Sequence, residues 1–192
     1  MKKFFLLILL QILISFPVFS NEIKDLSDGN KDAKIKVLVF ESLTCSYCAK
    51  FHEDIYPKLK SEFVDSGKIE VIFKSFPLDL AALNASKLSY CKNDGKTEVL
   101  GLLYKKQNEW IKGETLEDYN KNLKEILEAN NVKLNFEKCL NSKDLEDFIL
   151  NQRITGSKKY EINATPTIVI NEQKFGKSLN FKNLKKELEK LL

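Results

Sequence analysis

Short apolar runs alternate with long stretches of helical spacing along this chain. Lys36 to Phe40 (KVLVF) is a valine-rich run, which predicts a buried strand. From Cys48 onward, Phe51, Ile55, Leu59 and Phe63 recur at steps of three and four, the spacing of one helix face. Pro57 is expected to kink that helix, and Ser66-Gly67 to end it. Ile69 to Phe73 (IEVIF) predicts a second strand. Leu78 to about Ser157 then reads as helical. One segment runs from Leu80 to Cys91 and stops at Asn93-Asp94-Gly95; another runs from Val99 to Trp110 and stops at Gly113. Thr115-Leu116-Glu117-Asp118 has the form of a capping box opening a third helix, ended by Asn130-Asn131. Phe136 to Leu140 is short, and Leu145, Phe148 and Ile149 start a last helix that should end before Gly156. Strand character returns at Thr167 to Ile170 (TIVI), with Asn171-Glu172-Gln173 as a turn and Lys174-Phe175 as the partner strand. Leu184, Leu188 and Leu191 mark a C-terminal helix. Asn21 to Lys34 is polar and reads as a lead-in. The order β-α-β, helices, β-β-α can build one sheet of an α/β fold from 21–78 and 158–192, with 79–157 as a helical insertion.

Composition places the chain among globular proteins: 192 residues, 43% hydrophobic and 30% charged. The net charge of +4 includes Lys2 and Lys3, which lie in a segment expected to be removed. The remaining lysines are spread among glutamates and asparagines, so nothing points to nucleic acid. Lys2-Lys3, the apolar stretch Phe4 to Val18 and the sequence Val18-Phe19-Ser20 have the layout of a secretory signal peptide over residues 1–20. An uncleaved anchor is the rival reading, but the apolar stretch falls short of the roughly 20 residues that cross a bilayer. Export to an oxidising compartment, the periplasm, changes how Cys45, Cys48, Cys91 and Cys139 read, because there they can form two disulfides.

Cys45-Ser46-Tyr47-Cys48 sits where a strand ends and a helix begins. The first turn of a helix carries unpaired N–H groups and partial positive charge, which stabilises a thiolate at Cys45. Cys48, one turn on and facing the apolar side, is expected to be the buried resolving partner. Zinc is a competing reading, with Cys45, Cys48 and His52 as ligands, but no second CxxC or HxxxH completes a site. A c-type haem would need His where Ala49 stands. A purely structural disulfide is the third alternative, although a strand-to-helix junction is an odd place for one. Thr165-Pro166 ahead of the TIVI strand suggests a turn in which a cis bond is plausible. His52 is the single histidine, and packing is its default role. Glu41 is either a proton acceptor for Cys48 or a solvated charge at the strand end. Trp110 is expected in the core. The sequons at Asn84 and Asn163 are taken as chance.

TCSYC after the first strand, FPLDLAALNAS after the second and INATPTIVIN before the hairpin together resemble the DsbA-type periplasmic thiol–disulfide oxidoreductases, in particular the bacterial subgroup with a second cysteine pair. The resemblance runs over nearly all of the chain beyond residue 20. It implies a thioredoxin fold with a helical insertion and a redox-active Cys45–Cys48 disulfide, with no other cofactor and no metal. It also implies that Cys45 is the attacked sulfur and that Thr165-Pro166 is a cis-proline loop lying against it and pairing with the substrate backbone. The implied partners are unfolded exported proteins and a membrane-embedded reoxidase, with the protein acting as a monomer. The second pair points to a structural Cys91–Cys139 disulfide; two unpaired core cysteines are the rival. Two departures stand out. Ser46-Tyr47 replaces the Pro-His dipeptide of strong oxidants, which places the Cys45 pKa between about 3.5 and about 7, the DsbA and thioredoxin values. Val39 occupies the usual position of a buried acid, and Glu41 lies two residues closer. Tyr at the second dipeptide position also occurs in the disulfide isomerases that resemble this fold, but those add an N-terminal dimerisation domain. Only about 15 residues lie between Ser20 and the first strand, too few for one. Oxidase is therefore preferred over isomerase or reductase, with Ser46, Tyr47 and Glu41 as modulators.

Overall fold

The computed structural model describes residues 22–192; the leader expected at 1–20 lies outside them. A five-stranded sheet in the order β1-β3-β2-β4-β5 is built from β1 (Leu26–Gly29), β2 (Ile35–Glu41), β3 (Ile69–Ser75), β4 (Thr167–Ile170) and β5 (Gln173–Lys174). β2 pairs parallel with β3 (Val39 beside Phe73) and antiparallel with β4 (Val39 beside Ile168). Val37, Val39, Val71, Phe73, Ile168 and Ile170 turn one face of the sheet into the main core. Phe40 and Val169 point to the other face, with Phe76, Tyr160 and Ile162.

β1 lies in the stretch read as a lead-in. It pairs antiparallel with β3 at the sheet edge, and only Leu26 of its four residues is buried. One apolar position leaves no alternation to detect, so backbone pairing rather than side-chain pattern makes this strand.

After β2, α1 (Ser46–Lys50) passes into a π turn (Phe51–Ile55), α2 (Tyr56–Leu59) and a second π turn (Lys60–Val64). Pro57 has no N–H to donate, and the helix absorbs the missing bond by widening on either side. Phe51, Leu59, Phe63 and Val64 still reach the core.

Between β3 and β4 lie α3 (Leu80–Tyr90), α4 (Glu98–Lys105), α5 (Gln107–Trp110), α6 (Leu116–Ala129), α7 (Phe136–Leu140) and α8 (Lys143–Tyr160). The Thr115 and Asp118 side chains form a reciprocal capping box at the start of α6. Trp110 is fully buried and donates its indole N–H to the Leu103 carbonyl. α8 continues through Gly156 instead of ending before it. A Cβ at Gly156 would stand 2.8 Å from the Phe40 ring, so glycine here allows the helix onto the sheet. The stop comes at Glu161, which takes the left-handed conformation (φ 52°). The β4–β5 hairpin turns on Asn171 and Glu172, both with positive φ, a two-residue turn whose twist suits a hairpin. Gln173, expected in the turn, pairs with Ile170 in the ladder. α9 (Phe181–Glu189) closes the chain, burying Leu184 and Leu188.

Candidate active site

Because β2 runs antiparallel to β4, the end of β2 and the start of β4 lie together, with Phe40 beside Thr167. The loop leaving β2 carries Cys45. The loop entering β4 carries Thr165-Pro166. Sheet register therefore brings together two segments 120 residues apart: the Cys45 Sγ lies 3.3 Å from the Thr165 carbonyl, to which its thiol form donates. The Thr165–Pro166 peptide is cis.

Cys45 is the N-cap of α1 in extended conformation (φ −80°, ψ 118°), and its carbonyl accepts from the N–H groups of Cys48 and Ala49. Cys45 is half-buried and Cys48 fully buried, both as free thiols. The Cys48 thiol donating to the Cys45 sulfur is the largest influence lowering the Cys45 pKa from its ordinary 9.0 to about 5. The Thr165 side chain and the N–H groups of Cys48 and Tyr47 lower it further, against partial burial. Burial pushes Cys48 the opposite way, far up, reinforced by its bond to Cys45 and the charge of Glu41. One sulfur is thus held as a thiolate beside solvent, and its neighbour as a thiol beneath it. Ser46 is exposed, and Tyr47 is 70% exposed with the Lys50 ammonium 5.8 Å from its ring centre.

The loop is held from two sides. Gln107 of α5, itself buried, donates its amide to the carbonyls of Leu43 (2.8 Å) and Cys45 (3.0 Å). From the FPLDL segment, Asp79 accepts from the Thr44 hydroxyl at 2.7 Å while its other oxygen caps α3 through the Ala82 N–H. The Leu78 N–H reaches the Ser42 hydroxyl.

Glu41 is 3% exposed, which removes the reading of a solvated charge. Its Oε2 lies 2.8 Å from His52 Nε2, and burial raises its carboxyl pKa although His52 acts to lower it. The His52 ring stacks on Tyr104, centroids 4.0 Å apart, and on Phe73. Among the described residues, no group of three or more His, Cys, Asp or Glu side chains stands close enough to hold a metal ion, so the Cys45–Cys48–His52 zinc reading finds no donor set.

The remaining cysteines are bonded to each other elsewhere. Cys91, at the C-cap of α3, joins Cys139 of α7 with Cα atoms 5.6 Å apart. The length of α3, roughly 16 Å at 1.5 Å per residue, separates this bridge from Asp79 at the loop. Gln107, Tyr104 and the Glu41–His52 pair escaped the sequence reading. A single glutamine or tyrosine in a helical stretch carries no spacing signal, and the Glu41–His52 contact is made only when α1 docks on the sheet.

The thioredoxin family profile matches residues 21–190. The chain belongs to the thioredoxin family. Within it, the chain is of DsbA type. It superposes on Wolbachia pipientis alpha-DsbA1 with a TM-score of 0.78 and 30% identity, covering 93% of each chain. Disulfide bond formation protein D of Bacillus subtilis is 29% identical over 85% of this chain and 75% of that protein. A Rickettsia bellii protein named as a protein-disulfide oxidoreductase is 29% identical over 82% of this chain. The chain spans about three fifths of the length of that relative, with 60% of it covered. A mixed five-stranded sheet with helices inserted between β3 and β4 is the thioredoxin fold of this DsbA type.

Proposed function

We propose that this protein is a protein thiol–disulfide oxidoreductase that passes a Cys45–Cys48 disulfide to exported proteins. The observation that carries the reading is the inequality of two sulfurs one helical turn apart: Cys45 half-buried with its pKa lowered to about 5, Cys48 fully buried with its pKa raised. A low-pKa thiolate is a good leaving group and favours the reduced enzyme, so the disulfide form is an oxidant. A client thiolate attacks Cys45 Sγ, Cys48 leaves, and a mixed client–Cys45 disulfide forms. A second client thiol then attacks the client sulfur of that bond, and Cys45 leaves as its stabilised thiolate. The cis Thr165–Pro166 segment beside Cys45 would pair with the client backbone in the manner of an added strand. Exposed Leu78 and Leu80 flank Asp79, and with Tyr47 they offer apolar surface to an unfolded chain.

In this reading residues 1–20 direct export to the periplasm, 21–78 and 158–192 form the thioredoxin-like domain, and 79–157 are its helical insertion. The partners are unfolded exported proteins and a membrane-embedded reoxidase, and the protein works as a monomer with no nucleic acid and no cofactor beyond its disulfide. The relatives' names support the oxidoreductase chemistry. The deciding experiment is oxidative refolding of a reduced, unfolded client with stoichiometric oxidised protein. Client disulfides should form as Cys45 and Cys48 are reduced. An oxidised protein that leaves the client thiols untouched would sink the proposal. A reduction potential near the thioredoxin value of about −270 mV would move the role to reductase, and one near about −120 mV would favour oxidase.

A further inference from the structure

Cys48 is chemically awkward. Its thiol must lose or regain a proton each time the Cys45–Cys48 bond forms or breaks, yet it is fully buried and its pKa is raised by that burial. The polar groups around it form one cluster. Glu41 contributes from β2. His52 contributes from the π turn after α1, with Nε2 2.8 Å from Glu41 Oε2. Tyr104 contributes from α4, its ring 4.0 Å from the imidazole. The Tyr104 hydroxyl and Glu41 Oε1 are both buried with no hydrogen-bond partner among the described residues. Glu41, Cys48 and Cys45 all face that hydroxyl and raise its pKa beyond the effect of burial. Two buried polar atoms left unpaired in one place are costly, and such groups call for a functional explanation.

Beneath the helix lies a cavity of about 560 Å³ whose walls include His52, Tyr104, Tyr56 and Thr97. Exposed Glu53, Lys105 and Asn108 also line it, so it leads from the buried imidazole to solvent.

We propose that His52 is a positioning residue for the Cys48 step: bonded to Glu41, it keeps that carboxylate able to accept the Cys48 proton and relays the proton into the cavity. The inference rests on the Cys45–Cys48 reading above. In the closing direction the Cys48 thiol gives its proton to the Glu41 carboxylate. The Cys48 sulfur then attacks Cys45 Sγ, the mixed disulfide breaks, and the other sulfur leaves as a thiolate. In the opening direction a client thiolate attacks Cys45 Sγ, the S–S electron pair leaves on Cys48, and Cys48 takes the proton back from Glu41. Electrons and protons balance with no further reactant.

The groups that bear on His52 come from every element around it. Glu41 faces it from β2, and Cys45 and Cys48 lie at the start of its own helix. Tyr104 stacks on it from α4, with Lys105 next along at the cavity wall. Tyr56 packs against it, 5.6 Å between ring centres, and donates to Asp28 of β1, which also accepts from Thr97. Glu53 follows it in sequence and lines the same cavity. Of these, only Glu41 bonds the imidazole directly among the described residues, so the relay runs through it.

The test uses reduced, untagged protein with a chromogenic aromatic disulfide, Ellman's reagent, in stopped flow across pH. The first thionitrobenzoate released reports attack by Cys45; the second reports closure by Cys48. In His52→Gln the second release should slow by at least about tenfold near neutral pH, the low end for a positioned acid–base group, and the deficit should shrink as pH rises. Glu41→Gln should slow it as much, and the double variant no more than Glu41→Gln alone. The first release should be unchanged in all three. A slow first release in the native protein would defeat the Cys45 reading itself. A fast first release with an unaltered second release and pH profile in folded His52→Gln would overturn this inference alone. Should the variant not fold, the native protein still decides: His52 is the single histidine of the chain, so its imidazole proton resonance needs no assignment. At one fixed pH near neutrality that resonance should shift between the dithiol and disulfide forms; the same resonance position in both forms overturns the relay.

Discussion

The two cysteine pairs hold the same atoms in opposite settings. Cys45 stands at the N-terminus of a helix, where free N–H groups and the helix dipole stabilise a thiolate. Cys91 stands at the C-terminal end of α3, where carbonyls face outward and the dipole opposes negative charge. Cys45 has its partner one turn away on the same helix, with only Ser46 and Tyr47 between them. Cys91 reaches its partner across 48 residues and ties α3 to α7. In the proposed reading the first arrangement makes a bond that a client can exchange, while the second is a staple. What distinguishes reagent from staple is where the backbone puts each sulfur, and no property of cysteine alone separates them.

The largest expected effect breaks the reactive side of the contrast. Cys45→Ser should abolish exchange with client dithiols, and Cys48→Ser should accumulate a mixed disulfide visible on non-reducing gels. Exchange surviving in Cys45→Ser would remove the assignment. The staple is tested by Cys91→Ala/Cys139→Ala. Closing a loop of 48 residues contributes roughly 4 kcal/mol in the chain-entropy account, an upper figure. At a few degrees per kcal/mol for a domain of this size, calorimetry should show Tm falling by about 10 °C. The Cys45 pKa should stay near 5, since none of the groups that lower it belongs to α3 or α7.

A smaller effect is expected at Gln107. Gln107→Leu leaves the buried Leu43 and Cys45 carbonyls without their donor, which should cost about 1–3 kcal/mol in urea unfolding. An unchanged midpoint would mean the loop holds itself. A further effect is a pH dependence. The folded Cys45 pKa of about 5 lies below its ordinary 9.0. The reduced protein therefore binds fewer protons at this site than the unfolded chain between those values. Its stability relative to reduced Cys45→Ser should rise from about pH 5 to about pH 9 and be lost as pH falls through 5. Cys48, shifted upward, acts only above its own ordinary value and leaves that window clear. A flat difference across the window would contradict the lowered pKa.

Much of this arrangement was legible in the sequence because it rests on local rules. β2 and β3 announce themselves as valine- and isoleucine-rich runs, α6 opens on a capping box, and Asn171-Glu172 reads as a turn. The CxxC follows a strand at once, which places Cys45 at a helix start. The rest depends on contacts between distant segments. β1 offers a single buried side chain, and Gly156 reads as a stop until Phe40 is seen against it. His52 reads as packing because its partner Glu41 lies on another element, and that same distance left Glu41 open to a solvated reading. Gln107 stands in a helix whose apolar neighbours carry the pattern, so its hold on the Cys45 loop had no trace in spacing.

The central claim is that the Cys48 thiol, with the N–H groups of the helix start, holds Cys45 as a thiolate while Cys48 stays a thiol. Titration of thiolate absorbance near 240 nm on the reduced protein, with Cys45→Ser as the blank, measures it directly. The account predicts a single transition with its midpoint near 5, absent from the blank. A midpoint at or above the ordinary thiol value of 9.0 would contradict it.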